Sequence, residues 1–598
     1  MSSTHSRGRR ATFSLVVFTL VAVLLGAKLF QIQVVQAAEL NEVSKDKRAV
    51  PVSIPSPRGD VVDRNNIILA TTEERYDVQL SPKNTRVRDG VFYRFSETNN
   101  NEMVAVTAEE AYEEIGLVTG QSGAEIKQIV DEALAVDEKS DFAYVKRSID
   151  LEQLNELKKL NIPWLSFDYN FQRIYPNGAV AGNLIGFSGY DETPLAGVEL
   201  SQDQCLQGVD GYETYERGAD GVALPGSNVI AKKAEAGGTV ELTIDADLQW
   251  QSQQIVNERV AALGADWVRA VIMDVKTGEL LAVAEDGSVD PGDIDSSEAS
   301  KREARAYVDP YEPGSTFKTI TTASLLDSGV ATPHTPYETP WTYSPDPNVR
   351  FSDWFQHDYE NWTLAGIMTF SSNVGTAMLG TQLDAQTRYD YMRKFGFGES
   401  TNTGMPLEDA GLLYKAEDWD LQTSYNVTFG QGLSSTIIQT AGAYQAIANA
   451  GVRIPPSLVK GCVGSDGVRS EIDHGEPIKV ISERAAAETI AVLETAVEES
   501  WAKDVLNIPG YRVAGKTGTS EQPDGQGGYK EEYVHSFAGI FPADDPQYVI
   551  VSSIDSPAVY ATGTAEAIKI VKDLAEITIR AMNVAPSEGA PKLYPLYY

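Results

Sequence analysis

Arg7, Arg9 and Arg10 stand directly before an apolar run from Ala11 to Ala27, which pauses at Lys28 and resumes with Leu29 and Phe30. A helix crossing a bilayer needs about 20 apolar residues, and a lysine at its edge can extend its ammonium to the interface. The arginines stay on the cytoplasmic side. Residues 1–10 therefore read as a cytoplasmic tail, 11–30 as a transmembrane signal-anchor, and everything beyond as chain that folds outside the cytoplasm. Val35-Gln36-Ala37 resembles a small-residue cleavage site. A polar interval separates it from the apolar run, which favours an uncleaved anchor over a cleaved signal peptide. The expected location is the cell membrane, single-pass, with the body of the chain beyond the anchor extracytoplasmic.

At 598 residues the chain exceeds one ordinary hydrophobic core, and two to four domains are expected. A formal charge of −36 would repel a nucleic-acid backbone, and no basic run in the body of the chain offsets it, which argues against nucleic-acid partners. Cys205 and Cys462 lie far apart and fit no metal spacing; they are expected to be free or singly buried and to set no disulfide framework. His5, His334, His357, His474 and His535 show no ligand spacing, so neither metal nor cofactor is expected.

Ala49 to Pro57 is extended and proline-spaced, and Arg58 to Ala70 reads as strand, Asn65-Asn66 turn, strand. Residues 107–160 follow a helical pattern. Val240 to Asp245 alternates as a strand before a helix over Ala246–Leu263, and the main boundary is placed in Lys232–Gly238. A hairpin follows, Ala270–Val275 with Glu279–Ala284, and the chain closes with strands over Ser536–Phe541 and Tyr548–Ile554 and a helix from about Ala565 to Met582. Strands at both ends with helices between them predict an α+β fold, one sheet layered with helices. The expected division is residues 31–238, 239–584 and a flexible tail over 585–598 with Pro586, Pro591 and Pro595. The pair Glu285-Asp286 reads as part of a solvated face.

Three polar clusters then stand in order. In Glu312-Pro313-Gly314-Ser315-Thr316-Phe317-Lys318, Pro313 and Gly314 punctuate a helix start, and Lys318 falls one turn after Ser315 on the same face. That is a nucleophile beside a possible base. Ser371-Ser372-Asn373 places a hydroxyl and an amide at a helical junction, and Gly515-Lys516-Thr517-Gly518-Thr519 continues a strand. Each motif has a decoy in the chain: Ser44-Lys45-Asp46-Lys47, Ser424-Tyr425-Asn426 and Lys276-Thr277-Gly278. The order and the flanking residues carry the specificity.

In that order, with Phe429-Gly430-Gln431-Gly432, the motifs resemble the transpeptidase domain of class B penicillin-binding proteins, active-site-serine acyl transferases, and most of all the division-type septal subgroup. Arg58-Gly59, Asp63-Arg64, Arg173-x-Tyr175-Pro176, Gly186-Phe187-x-Gly189 and Gly197-Val198-Glu199 resemble their elongated, dimerisation-like N-terminal pedestal. Two positions depart from the family pattern. Asn66 stands where Gly is common, and Ile437 where Thr-Pro-x-Gln has proline. No histidine lies between His5 and His334, so the sugar-polymerising domain of the bifunctional class is not expected.

The resemblance implies an antiparallel sheet layered with helices and a peptidoglycan D,D-transpeptidase working through a Ser315 acyl-enzyme. A neutral Lys318 would take the serine proton, helped by burial and by a Lys516 that stays charged. Ser371 would relay a proton to the leaving amine, Asn373 would bind the substrate amide, Thr517 and Thr519 would hold the terminal carboxylate beside Lys516, and Gly518 would belong to the same substrate-binding set. The backbone N–H groups of Ser315 and Thr519 would form an oxyanion hole. His535 is expected in a structural or substrate-lining role. Implied partners are D-Ala-D-Ala stem peptides, β-lactams, the membrane, a glycosyltransferase and other divisome membrane proteins. An elongation-type transpeptidase, a D,D-carboxypeptidase, a β-lactam hydrolase or sensor, and an inactive divisome scaffold remain alternatives at this point.

Overall fold

A computed structural model describes residues 4–40, 49–96, 102–189, 193–216, 229–523, 528–555, 557 and 562–598. Ser44 and Lys47, the decoy Ser-x-x-Lys, lie outside the described residues. Two compact units emerge.

The first unit comprises the described residues of Met1–Pro57 and Gly208–Ala236. Its helix α1 (Thr4–Phe30) leaves Leu15, Phe18, Leu24 and Phe30 exposed, as side chains meeting lipid rather than protein would be. Among the described residues it belongs to the one segment long and apolar enough to cross a membrane. A three-stranded sheet follows, in the order Ala49–Ile54, Gly211–Glu216, Val229–Lys232. Asp210 fastens the exit of the first strand by accepting hydrogen bonds from the N–H (2.9 Å) and Oγ (3.0 Å) of Ser56.

The second unit holds the rest, Arg58–Gln207 with Gly237–Tyr598. Its centre is a five-stranded antiparallel sheet built from β1 (Trp267–Asp274), β2 (Leu280–Glu285), β3 (Ala514–Pro523), β4 (Tyr529–Phe541) and β5 (Tyr548–Asp555), in the order β2-β1-β5-β4-β3. The two-residue period of a strand sorts the side chains. Phe537, Phe541, Ile550 and Ile554 share a core with α2 (Ala246–Leu263) and α8 (Gly563–Met582) on one face. Ala514, Ala538, Ile540, Val549 and Val551 join the core on the other face, with α3 (Lys318–Ser328), α6 (Ile437–Ala448) and α7 (Glu483–Glu498). Lys516 and Gly518, two and four residues beyond Ala514, therefore point toward α3.

A second sheet joins the two halves of this unit. Thr239–Leu242 pairs with Val61–Val62 on one side and Val459–Val463 on the other, and Val61–Val62 leads on to Ile68–Leu80. The family-like segments of the N-terminal half converge on Glu199, which is fully buried. Its carboxylate accepts from Arg58 Nε and Arg173 Nε, each at 2.7 Å, and Arg173 also donates to the Gly59 carbonyl at 2.6 Å. A buried carboxylate held by two guanidinium groups is costly to leave half-paired, so the three residues act as one unit.

Four expectations need correction. Cys205 and Cys462 form a disulfide across 257 residues. Val240 pairs with Cys462 in the sheet, the Gly238 N–H donates to the Cys205 carbonyl (2.8 Å), and Gly238 packs so closely that a Cβ would stand 3.1 Å from either sulfur. No local spacing signals a pair that arises only when two distant strands share a sheet. The helical pattern over 107–160 is broken by a strand, Ala143–Ile149, which pairs with Ile68–Leu80. Glu285 and Asp286 are buried, not solvated: Glu285 accepts from the Ala306 N–H (2.9 Å), and Asp286 is paired with Arg305. The segment expected as a flexible tail is docked, with the Leu596 carbonyl accepting from the Thr363 N–H (2.9 Å) and the Tyr594 N–H donating to Thr495 Oγ1 (3.1 Å).

Both departures from the family pattern fit their places. Asn66 has φ +64°, the left-handed region that Asn enters most readily after Gly. Ile437 is the first residue of α6, after the Thr436 cap, where proline and other residues are equally free of an intrahelical N–H bond.

Replacing Cys205 and Cys462 with serine should cost about 2–5 kcal/mol of unfolding free energy, because the bridge closes a long loop in the unfolded chain. Denaturant midpoints of wild type and the double variant measure this, and reductant should move only the wild type.

Candidate active site

Ser315 lies in a tight turn, Gly314–Phe317, that runs straight into α3 at Lys318, so the helix starts one turn later than the proline and glycine signal implied. The turn is fixed from several sides. Gly314 (φ +56°) donates its N–H to the Gly430 carbonyl at 3.0 Å, and a Cβ there would stand 2.8 Å from the Thr519 carbonyl. Tyr444 of α6 donates its hydroxyl to the Thr316 carbonyl (2.8 Å). The backbones bearing Ser315 and Thr519 are thus in direct contact. Gly430 leaves no room for a Cβ against the Gly314 carbonyl, which accounts for a glycine at the head of Gly430-Gln431-Gly432.

Ser371 follows α4 (Leu364–Thr369) and precedes α5 (Asn373–Gly380). Its φ of +55° is unusual for a residue with a Cβ. Ser371 Oγ lies 3.2 Å from Lys318 Nζ and 3.0 Å from Lys516 Nζ, while the Ser371 carbonyl accepts from Lys318 at 2.5 Å. Lys516 also donates to Thr517, at 3.2 Å to both its carbonyl and its hydroxyl. One hydroxyl therefore joins two amines.

Among the described residues, neither lysine contacts a carboxylate; their partners are Ser371 and Thr517. Lys318 is 0% exposed and Lys516 3%. Burial, then the Lys516 charge, drive the Lys318 ammonium well below its ordinary range, and the Asp353 carboxylate opposes this only in part. Burial alone brings Lys516 down to about 7. The expectation of a permanently charged Lys516 is corrected accordingly: near neutral pH it is poised between forms until an anion arrives. A substrate carboxylate in contact with it would favour the ammonium.

Asn373 is the first residue of α5, and its Nδ2 donates to the Ser352 carbonyl at 3.4 Å. Thr519 is exposed at the cleft, with its hydroxyl 3.2 Å from that of Thr564. Gly518 faces Pro313 and Thr316, where a Cβ would stand 3.0 Å from Thr316 Cγ2. His535, opposite Thr519 across β3 and β4, is buried, pushed down to about 4, and lies 2.8 Å from Thr564 Oγ1. It is neutral at physiological pH and lies one hydroxyl away from the cleft. The decoys lie elsewhere. Lys276-Thr277-Gly278 caps the β1–β2 hairpin through Asp274, and Ser424 accepts from Arg388.

Two residues emerge only from the structure. Asp353 accepts from Ser372 Oγ (2.6 Å) and the Val374 N–H (2.9 Å) and meets His357 Nε2 at 3.0 Å, fixing both sides of the Ser371–Asn373 turn. Glu312, buried and pushed up to about 7 by desolvation, accepts from the Gly432 N–H at 3.0 Å, tying the Ser315 loop to Gly430-Gln431-Gly432. An Asp nineteen residues before its partner carries no motif signal, and Glu312 is visible only as a flank of Ser315.

Comparison with known proteins identifies the family. Residues 268–576 match the penicillin binding protein transpeptidase domain, and 53–242 the penicillin-binding protein dimerisation domain. The chain belongs to the class B penicillin-binding proteins. The penicillin-binding protein PbpB of Mycolicibacterium smegmatis is 34% identical over 590 residues, covering 96% of this chain and 90% of that protein. Peptidoglycan D,D-transpeptidase FtsI of Escherichia coli is 29% identical, covering 75% and 74%. A crystal structure of penicillin binding protein 3 from Mycobacterium tuberculosis, complexed with aztreonam, aligns with a TM-score of 0.69 at 30% identity, over 92% of this chain and 100% of that one.

In this penicillin-binding protein the folded Lys516 gives up its proton at about 7, against an ordinary 10.5. Between those values the unfolded chain binds a proton that the native chain does not, so stability rises with pH from about 7 upward. Lys516→Met should lessen that rise without abolishing it, since Lys318, itself driven well below its ordinary range, contributes to it as well; thermal or denaturant unfolding of both proteins from about pH 7 to pH 9 measures it.

Proposed function

We propose that this protein is a membrane-anchored peptidoglycan D,D-transpeptidase that cross-links stem peptides through an acyl-enzyme on Ser315, and that it serves septal wall synthesis. The observation that carries the reading is the single Ser371 hydroxyl within hydrogen-bond reach of both Lys318 and Lys516. A serine needs a base to become a nucleophile, and a buried amine driven well below its ordinary range beside a second one can supply it.

In the first half-reaction, Ser315 Oγ attacks the carbonyl of the penultimate D-Ala while neutral Lys318 takes the hydroxyl proton. The backbone N–H groups of Ser315 and Thr519 stabilise the oxyanion, where each donor is worth on the order of 3 kcal/mol. Lys516, Thr517 and Thr519 hold the terminal carboxylate, and Asn373 the stem amide. As the C–N bond breaks, Ser371 passes a proton from Lys318 to the leaving D-Ala amine, and an ester on Ser315 remains. In the second half-reaction the amine of a neighbouring stem attacks that ester, gives its proton back through the same hydroxyl, and releases Ser315 with a new cross-link. β-Lactams, as cyclic relatives of the dipeptide, would acylate Ser315 and stay.

Several observations support the wider reading. The relatives include one named peptidoglycan D,D-transpeptidase, matched over three quarters of this chain, and a structural neighbour matched over 92% of it is complexed with aztreonam. The exposed apolar helix α1 and the Cys205–Cys462 disulfide fit a protein held at a membrane with its folded part in an oxidising compartment. The septal role rests on the likeness to the division-type subgroup, as do partnerships with a glycosyltransferase and other divisome membrane proteins.

Fluorescent penicillin should label the wild type one-to-one and leave Ser315→Ala dark. Equal labelling of the two, or none of the wild type, would refute the assignment. With purified glycan strands carrying pentapeptide stems, cross-linked dimers are the expected product; release of D-Ala with trimmed stems alone would mark a carboxypeptidase.

A further inference from the structure

The segment around 594–598, expected to be mobile, grips the helix that delivers Ser371. Thr363 is the N-cap of α4: its Oγ1 accepts from the Gly366 N–H (3.0 Å) and donates to the Pro595 carbonyl (2.6 Å). Its own N–H reaches the Leu596 carbonyl at 2.9 Å, and that carbonyl closes on Gly366 so tightly that no Cβ fits there. Tyr597 pairs with Trp362 through the backbone and lays its ring 5.8 Å from that of Phe370, which is itself stacked on Trp362 at 4.9 Å.

From α4 the path to the active site is one residue long. The Met368 carbonyl accepts the Ser371 N–H (3.2 Å) and the Ile367 carbonyl the Ser372 N–H (3.0 Å). A helix of six residues has little stability of its own, and Ser371 must be held in a left-handed conformation that a residue with a Cβ does not prefer. Something outside the turn has to hold it. Asp353 does so from the α5 side, and the 594–598 segment does so from the α4 side.

We propose that residues 594–598 are a clamp that positions Ser371, so that the rate of acylation at Ser315 depends on this segment. The inference rests on the functional reading of Ser315 and Ser371 given above. Because the clamp acts on a proton-relaying hydroxyl rather than on the surfaces that bind substrate, its loss slows the chemical step and spares initial binding. Misplacement of a reacting group by about an ångström can cost up to about a hundred-fold in rate.

The test is the kinetics of β-lactam acylation, resolved into the dissociation constant of the first complex and the rate constant of acylation. A chain ending at Lys592, and full-length Gly366→Ala, which displaces Leu596 without shortening anything, should each acylate at least about ten-fold more slowly with the dissociation constant changed by less than about two-fold. A peptide of sequence Leu-Tyr-Pro-Leu-Tyr-Tyr added at millimolar concentration should restore the rate of the shortened chain. Wild-type rates in folded variants, a loss confined to the dissociation constant, or a loss the peptide leaves unrepaired would overturn the clamp. If the shortened chain does not fold, Gly366→Ala and Tyr597→Ala decide by the same division of constants. Wild type and Ser315→Ala run alongside: a wild type that fails to acylate sinks the functional reading, whereas a normal wild type with unaffected variants sinks the clamp alone.

Discussion

Two lysine side chains buried around one serine hydroxyl are the constraint to which the rest of the second unit answers. Removing an ammonium from water without a carboxylate partner costs several kcal/mol, and two such groups within reach of one oxygen repel each other as well. The molecule relieves this by deprotonation, and the relief is uneven. Lys318 is driven down by burial and by its neighbour, whereas Lys516 is lowered by burial alone, to about 7. The arrangement is thereby poised: one amine is free to accept a proton, and the other can regain its charge when a carboxylate arrives. Asp353, the nearby carboxylate that works against the Lys318 shift, spends its hydrogen bonds on the Ser372 turn rather than on either lysine.

Such a cluster needs rigid supports from distant parts of the chain. Strand β3 supplies Lys516 on the face that also carries Ala514, α3 supplies Lys318, and the α4–α5 junction supplies Ser371. Close backbone contacts set the spacing, with Gly314 against Thr519 and Gly430 against Gly314. Glu312 and Tyr444 hold the Ser315 loop from the sides. Farther away, the disulfide and the sheet through Thr239–Leu242 bind the two halves of the unit, and Glu199 locks Arg58 and Arg173 within the N-terminal half.

Much of this was legible in the sequence because the chemistry is written locally. Ser315 and Lys318 are one turn apart, Ser371 and Asn373 flank one residue, and Lys516 to Thr519 alternate along one strand. The strands of the central sheet were legible as apolar runs such as Ala270–Val275, and α2 and α8 by their helical spacing. What escaped depends on partners far along the chain. Cys205 finds Cys462 only after strands from both halves align. Glu285 and Asp286 look like a surface pair until Arg305 and the Ala306 N–H are packed against them. The prolines of 585–598 signal an extended segment, and an extended segment can dock as readily as it can wander: Pro595 and Leu596 present the carbonyls that Thr363 uses. The charge of Lys516 was read from its role; its burial, invisible in sequence, sets its value.

The most direct measurement of the central claim is the pH dependence of the β-lactam acylation rate of the membrane-embedded, full-length protein. If Lys318 is a neutral amine at work, the acidic limb of the rate should lie well below the ordinary lysine value of 10.5. A rate that climbs steadily to about pH 10, as the deprotonation of an unperturbed lysine would require, would contradict it.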